Sequence, residues 1–553
     1  MIEFAGKSVF KGIASAKISV YKRYDPTVKC FTVDDPEAEL RRFYAARDMA
    51  VDQLDELYSM ALDEVGDESA AIFMIHTMML EDFSFINSVE NLISNGHFNA
   101  EYAVSATGHS FYDMFLGMDD AYMQARSADV RDVSERLLTI LYGNSQQEIS
   151  SDEPAIILAE DLSPSETVRL AKGNIIGFVT SAGSVSSHTS ILARTMKMPS
   201  IVDAGFEVLK EYDGLHAVID GYDGKIYIDP DEAFVTKMLR KQRDEAIKAE
   251  LLNEYKGRDN VTIDGRRISL TASVGSLSEI DDAVFYDAGG IGLFRTEFIY
   301  LEKERFPTED ELFEIYREAA EKMGDKEVCI RALDVGADKR MGYFGLPEET
   351  NPALGCRGIR YLLRNPDIFR TQLRAIYRAS AYGNLSVMYP MISTVVDVGR
   401  INRFNNDIKK ELDADGIEYG NVKHGIIVET PSAVMISDLL AREADFLVIG
   451  TNDLAQYTLV IDREETAVHE FYDPLNISMF RMIKMVIDNA HRYKKKVSIC
   501  GELSSDPTIT HIFLAMGADE ISVIPSDILL MRKAVCSTNV TEISQHTLQQ
   551  LWM

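Results

Sequence analysis

The chain has 553 residues, and 88 acidic against 57 basic side chains give it a formal charge of −31. That length exceeds what one core fills, so three or four domains are expected, and the acidity argues against nucleic acid or an anionic membrane as partner, leaving a basic protein partner or plain solubility. No apolar run is long enough to span a bilayer or to act as a signal peptide, and five scattered cysteines without a C-x-x-C pair argue against a disulfide framework or zinc site and for a reducing cytoplasm.

Residues 1–20 read as a short strand pair. From about 34 to 143 apolar residues keep helical spacing (Leu54, Leu57 and Ala61; Ile72, Ile75 and Met79) with almost no strand signal, so a bundle of helices is expected. Its Phe73-Met-Ile-His76-Thr-Met78-Met79-Leu80-Glu81 segment holds more methionine than one face needs; such a stripe is either core or an adaptable docking surface. Residues 144–153 read as a polar linker.

Strands are then expected at 155–159 and 175–180, with Ser163-Pro-Ser-Glu-Thr167 capping a helix between them. Gly183-Ser-Val-Ser-Ser-His188-Thr-Ser-Ile-Leu-Ala-Arg194 follows, a small polar loop that delivers one histidine to the start of an apolar helix. This is either an ordinary histidine near an N-cap or an imidazole placed to carry a phosphoryl group beside unpaired backbone N–H groups. Short strands at 200–202, 216–220 and 225–228 complete a compact α/β domain, and 231–257 reads as a long charged helix joining two bodies that move relative to each other.

From 260 onward, eight apolar strands (268–274, 290–298, 328–335, 385–391, 425–429, 446–450, 496–500 and 520–524) alternate with helices, the rhythm of a (β/α)8 barrel whose chemistry sits at the C-terminal strand ends. There the sequence places Arg295, Arg331, Lys339 close to Asp338, Arg357, Glu429, Asn452-Asp453, Arg463 and Cys500. Arginine forks match phosphate and carboxylate. Glu429 and Asp453, with few other oxygen ligands, suit a Mg2+ that keeps sites for substrate oxygens. The same arginines and aspartates could instead pair in structural salt bridges, and Cys500 is either a core thiol or an acid–base group. The inferred ligand is a small anion with phosphate and carboxylate ends.

Six segments carry a resemblance: Ser187-His188-Thr-Ser-Ile-Leu-Ala-Arg194, Gly290-Ile-Gly-Leu-Phe-Arg295-Thr-Glu-Phe298, Asn351-Pro-Ala-Leu-Gly355, Val428-Glu429-Thr-Pro431, Ile449-Gly-Thr-Asn452-Asp453-Leu-Ala-Gln-Tyr457 and Cys500-Gly-Glu502. Over essentially its whole length the chain resembles the enzyme I family of the bacterial phosphoenolpyruvate-dependent sugar phosphotransferase system. The resemblance implies a multidomain α/β protein. A swivelling phosphohistidine α/β domain (1–20 with 146–230) carries an inserted helical HPr-binding bundle (21–145). A linker helix (231–258) leads to a phosphoenolpyruvate-binding and dimerising (β/α)8 TIM barrel (259–553). It implies that His188 takes the phosphoryl group of phosphoenolpyruvate and passes it to the phosphocarrier HPr. Arg295, Arg331, Asn452, Asp453 and Arg463 are implied to hold substrate, Glu429 and Asp453 to hold Mg2+, and Cys500 to protonate the enolate. Thr167, Arg357 and Lys339 are implied in support. His76, Met78, Met79, Glu81 and Arg126 fall in the HPr-docking region, and a cytoplasmic homodimer is implied. Departures from the family pattern lie in the loops: Ser184 and Ser186 before the histidine, Gly336-Ala337 where Gly-Gly is usual, and Cys356 before Arg357. Two rival readings are a dikinase-like phosphoenolpyruvate enzyme, which needs an ATP-binding domain for which this chain has no room, and a non-catalytic regulatory paralogue.

Overall fold

The structure, a computed structural model, describes residues 1–544 apart from 23–27, 66, 118–120, 144–150, 152, 171–172, 186, 302, 304, 338, 340 and 464. Most of the expected linker at 144–153, together with Ser186 and Asp338, therefore lies outside the described residues. The chain divides into two compact units, Met1–Lys248 and Ala249–Met553. No described helix is long and apolar enough to cross a membrane.

The first unit begins with three strands rather than a pair, β1 (Ile2–Ala5), β2 (Lys7–Phe10) and β3 (Ile13–Val20). Five helices follow: α1 (Pro36–Val65), α2 (Asp67–Glu81), α3 (Phe83–Ser94), α4 (Ala100–Leu116) and α5 (Ala121–Leu141). The chain then forms β4 (Ala155–Ala159), α6 (Pro164–Leu170), β5 (Ile175–Thr180), α7 (His188–Thr195), β6 (Ser200–Val202), β7 (His216–Asp220), β8 (Lys225–Ile228) and α8 (Glu232–Asn253). The sheet order is β1-β8-β7-β3-β4-β5-β6-β2, with the stretch from β3 to β6 parallel. β4 is apolar throughout because both its faces are covered: Ile156 and Leu158 enter one core, Ala155, Ile157 and Ala159 the other. The bundle core of Leu54, Leu57, Ala61, Phe73, Val89 and Ile93 also takes in Val168 of α6 and Leu192 of α7. The helix that begins at His188 is therefore packed directly on the bundle. Near its start α8 lies on the sheet through Met238 against Ile13 and Val218, and Lys241 Nζ reaches Asp220 and Asp223 at 2.6 and 3.0 Å.

In the second unit eight parallel strands close a barrel: β9 (Ser269–Val274), β10 (Ile291–Arg295), β11 (Val328–Arg331), β12 (Leu385–Tyr389), β13 (Lys423–Val428), β14 (Phe446–Gly450), β15 (Lys496–Cys500) and β16 (Glu520–Val523). Leu293, Cys329, Met388, Ile427, Val448 and Cys500 fill its interior. Two strands are much shorter than expected, Ile291–Arg295 for 290–298 and Val328–Arg331 for 328–335. The second stops at Arg295 because Glu297–Leu301 turns into a helix. The third stops at Arg331, which closes it. Residues 332–335 remain buried, but after Ala332, whose N–H still reaches Met388 O, side chains take over: Leu333 donates to Gln372 Oε1 and Asp334 to Glu297 Oε1, both at 3.0 Å.

At the opposite end of the barrel, His424 lies between two tyrosines, its Nε2 3.1 Å from the Tyr377 hydroxyl and its Nδ1 2.9 Å from that of Tyr389. Burial, helped by Lys409, lowers its pKa to about 4 against the opposing pull of Asp445. The folded state thus resists protonation that the unfolded chain accepts near pH 6.5. The contribution is intact above that pH and is lost as pH falls toward 4, about 3 kcal/mol in all. The expected result is that His424→Gln flattens the acid limb of barrel stability between pH 6.5 and 4, read as protection of barrel amides from hydrogen exchange.

Candidate active site

His188 is the first residue of α7, and its side chain lies outside what the structure describes. Ser187 caps the helix, its hydroxyl accepting the Ser190 N–H. The Ser190 hydroxyl donates to Ser184 O at 2.6 Å and that of Thr189 to Leu162 O at 2.7 Å. Small hydroxyl residues thus fold the loop back onto the helix start. Thr167 is fully buried on α6, donating to Ser163 O at 2.8 Å, and α6 packs against α7.

Among the residues expected to meet a partner, Met78 and Glu81 are exposed and Met79 is half-buried. His76 and Arg126 are not on that surface, which corrects the expectation. His76 is completely buried, with Nε2 3.3 Å from Asp129 Oδ1 and Nδ1 3.8 Å from Asp132 Oδ2, and buried Arg126 donates to Asp129 at 3.0 Å. α5 covers both.

The barrel residues gather as the parallel topology requires, since every strand ends at the same mouth. Arg295 ends β10 and pairs in register with Arg331, which ends β11. Arg295 lies over the Phe298 ring, 5.2 Å from its centroid, with only a loose 3.9 Å approach to Glu279. Arg331 is tightly held: Nε and Nη2 donate to the two oxygens of fully buried Glu297 at 3.0 and 2.8 Å. Arg357 is equally committed. It donates to Asp334 through Nε and Nη2 at 3.4 and 2.9 Å, and through Nη1 to Asp453 at 3.2 Å and the Tyr457 hydroxyl at 3.1 Å. Burial alone would raise the Asp334 carboxyl, but Arg357, Arg331 and Lys339 outweigh it and hold it at about 2. Burial would likewise discharge Arg331 and Arg357; their carboxylate neighbours keep both charged. Two of the arginines are thus in buried ion pairs, the structural alternative left open above.

Glu429 is buried just past β13 and accepts the Met391 N–H at 2.6 Å. Met391 presents that N–H from the left-handed region, φ 59°, a strained conformation for a buried side chain of this size. Gly450 closes β14 against this carboxyl, where a Cβ would stand 2.9 Å from Glu429 Oε2. Burial, then the charges of Asp453 and Asp334, push Glu429 up to about 8. Asn452 exchanges hydrogen bonds with Glu502, accepting its N–H at 2.9 Å and donating to Oε1 at 3.3 Å. Arg463 is half-buried beyond the helix Thr451–Leu459, its N–H on Gln456 Oε1 at 3.3 Å. Burial raises the Tyr472 hydroxyl; the charge of Arg463 opposes that rise, and Glu502 and Asp453 add to it. Cys500 is the last residue of β15, its Sγ 3.5 Å from Ile449 O; burial, reinforced by Glu429, raises the thiol to about 12.

The loop after β11 carries one of the departures noted in the sequence. Gly336 (φ 112°) lies against Arg357, where a Cβ would come within 2.6 Å, and Ala337 is left-handed at φ 54°. An alanine there costs about 1 kcal/mol that glycine does not. Ala337→Gly is therefore expected to stabilise the loop, seen as a lower hydrogen-exchange rate at Lys339, whose N–H donates to Gly336 O at 3.0 Å. Sequence reasoning assigned no role to Glu297, Gln372 or Tyr457; a carboxylate two residues past a strand-end arginine was the available signal for the first.

Comparison with known proteins gives a consistent picture. Family models match the N-terminal part of PEP-utilising enzymes over residues 5–126, their mobile domain over 151–224 and their PEP-binding domain over 249–540. Three relatives are each named phosphoenolpyruvate-protein phosphotransferase. That of Geobacillus stearothermophilus is 40% identical, across 95% of this chain and 92% of its own. Those of Priestia megaterium and Bacillus subtilis are 38% and 37% identical, each across 98% of this chain and 95% of theirs. With three consecutive matches and relatives aligned almost end to end, the chain belongs to the PEP-utilising enzyme family.

Proposed function

We propose that the chain is a phosphoenolpyruvate–protein phosphotransferase, which moves the phosphoryl group of phosphoenolpyruvate to His188 and then to a histidine of HPr, releasing pyruvate, as the first step of sugar uptake by the phosphotransferase system in the cytoplasm. The observation that carries this reading is the convergence of Arg295, Arg331, Glu429, Asp453 and Cys500 on one barrel mouth in an otherwise acidic chain. Arg295, Arg331 and Arg463 hold the phosphate and carboxylate of the substrate, with the Asn452 amide beside them. Arg357 serves as counter-ion to Asp334 and Asp453, and Lys339 adds positive charge to the same loop.

Glu429 and Asp453 fit a Mg2+ ion. They are oxygen donors, few in number, and the burial of Glu429 near the like charge of Asp453 is an arrangement that a divalent cation offsets. When bound, Mg2+ neutralises charge on substrate oxygens. The transfer itself needs positioning and charge neutralisation. A ring nitrogen of His188 forms a bond to phosphorus as the bond from phosphorus to the enol oxygen breaks. The enolate then takes a proton at C3 from the Cys500 thiol, giving pyruvate, and the thiolate regains a proton from water. Exposed Met78 and Glu81 with Met79 offer HPr an apolar and acidic surface, and the chain's negative charge steers a basic partner to it. Exposed Met435, Val460, Phe471 and Leu475 on the barrel unit support pairing with a second copy.

The test is incubation with labelled phosphoenolpyruvate and Mg2+ without nucleotide. Acid-labile phosphate is expected on His188, discharged by HPr and abolished in His188→Ala. A requirement for ATP, or label on another residue, overturns the reading.

A further inference from the structure

We propose that Glu297 is a positioning residue that aims Arg331 at the substrate anion. The proposal rests on the functional reading above. Glu297 is fully buried at the first turn after β10. Its two oxygens consume one edge of the Arg331 guanidinium, Nε at 3.0 Å and Nη2 at 2.8 Å. Oε1 also accepts the Asp334 N–H at 3.0 Å. Only the Nη1–Nη2 edge is left to meet a ligand, with Asp334 Oδ2 standing 3.8 Å from Nη1. A guanidinium gripped in this way presents one pair of N–H groups in one direction.

Glu297 is itself braced. The neighbouring Thr296 hydroxyl donates to Arg331 O at 2.9 Å. Fully buried Gln372 donates to Thr296 Oγ1 at 3.1 Å and to the Tyr316 hydroxyl at 3.2 Å, while accepting the Leu333 N–H at 3.0 Å. The strand ends of β10 and β11 are thus sewn together by side chains at the point where backbone pairing stops. The carboxylate does two things: it compensates a buried cation, and it takes the donors that would otherwise let the arginine turn. Its loss frees Arg331 to rotate toward Asp334 and loosens the Asp334 N–H, and so the loop that carries Lys339.

The experiment compares wild type, Glu297→Gln and Glu297→Asp in the full-length protein, with two readouts. Phosphoenolpyruvate binding, measured by calorimetry with Mg2+ present, is expected to weaken about 10–100-fold in Glu297→Gln, the range that outer-shell partners show at metal sites, with partial recovery in Glu297→Asp. In 15N-labelled protein the Arg331 Nε–H should exchange far more slowly than that of exposed Arg305, and should speed up in Glu297→Gln. Unchanged affinity in a folded Glu297→Gln protein overturns the proposal. So does a wild-type Arg331 Nε–H that exchanges as fast as Arg305, a result that needs no variant to fold. Wild type that binds no phosphoenolpyruvate overturns the functional reading instead, whatever the exchange data show.

Discussion

Asp334→Ala is expected to lower the stability of the barrel unit by about 3–5 kcal/mol, the cost of leaving buried cations without their partner. Asp334 is the centre of an alternating row: Glu297 grips Arg331, Arg331 faces Asp334, Asp334 binds Arg357, and Arg357 binds Asp453. Neither arginine can discharge, and the side chain of Arg357 is only 4% exposed, so the deletion creates positive charge that water does not reach. The pairing also sets a pH dependence. The folded carboxyl, at about 2, protonates less readily than an unfolded aspartate near 3.9, so its contribution is complete above about pH 4 and is lost as pH falls through 2. Hydrogen exchange of β11 and β12 amides in urea measures the loss. A change below about 1 kcal/mol would mean that water enters and relieves the charges.

Much of this architecture was legible because barrel strands are buried on both faces and read as short apolar runs between charged helices. The mouth was legible because a parallel barrel puts every strand end on one side. Pairing within the mouth was not. Which arginine meets which carboxylate depends on the register that sets Arg295 beside Arg331, and spacing along the chain does not encode that. Residues 332–335 looked like strand because they are apolar or buried; the ladder ends after Ala332, because at Leu333 and Asp334 side-chain oxygens of Gln372 and Glu297 replace the neighbouring backbone. His76 looked available to a partner because the carboxylates beside it, Asp129 and Asp132, come from a helix some fifty residues later.

Cys500→Ala is expected to slow conversion of the enolate to pyruvate on the protein by about 10²–10⁴-fold, the usual worth of a placed proton donor, while phosphorylation of His188 persists. Forming the bond to phosphorus requires no proton at C3, so the two events separate. Burial makes the thiolate costly and raises the thiol to about 12. The group is therefore fully protonated from pH 6 to 9, and no limb of the pH profile in that range belongs to it. A thiol this reluctant to ionise gives up its proton only to a stronger base, which the C3 carbanion centre is. With phosphoenolpyruvate that carries tritium stereospecifically at C3, the wild type in D2O should give a chiral methyl group of one hand; the variant should release enol that ketonises in solution to a racemic methyl group. Cys329→Ala separates chemistry from packing. That thiol shares the interior cluster with Cys500 but stands two residues before the end of its strand, so its loss costs packing and leaves the hand of the methyl group intact. Facial selectivity retained in Cys500→Ala would move the proton donor elsewhere and leave Cys500 as a core residue.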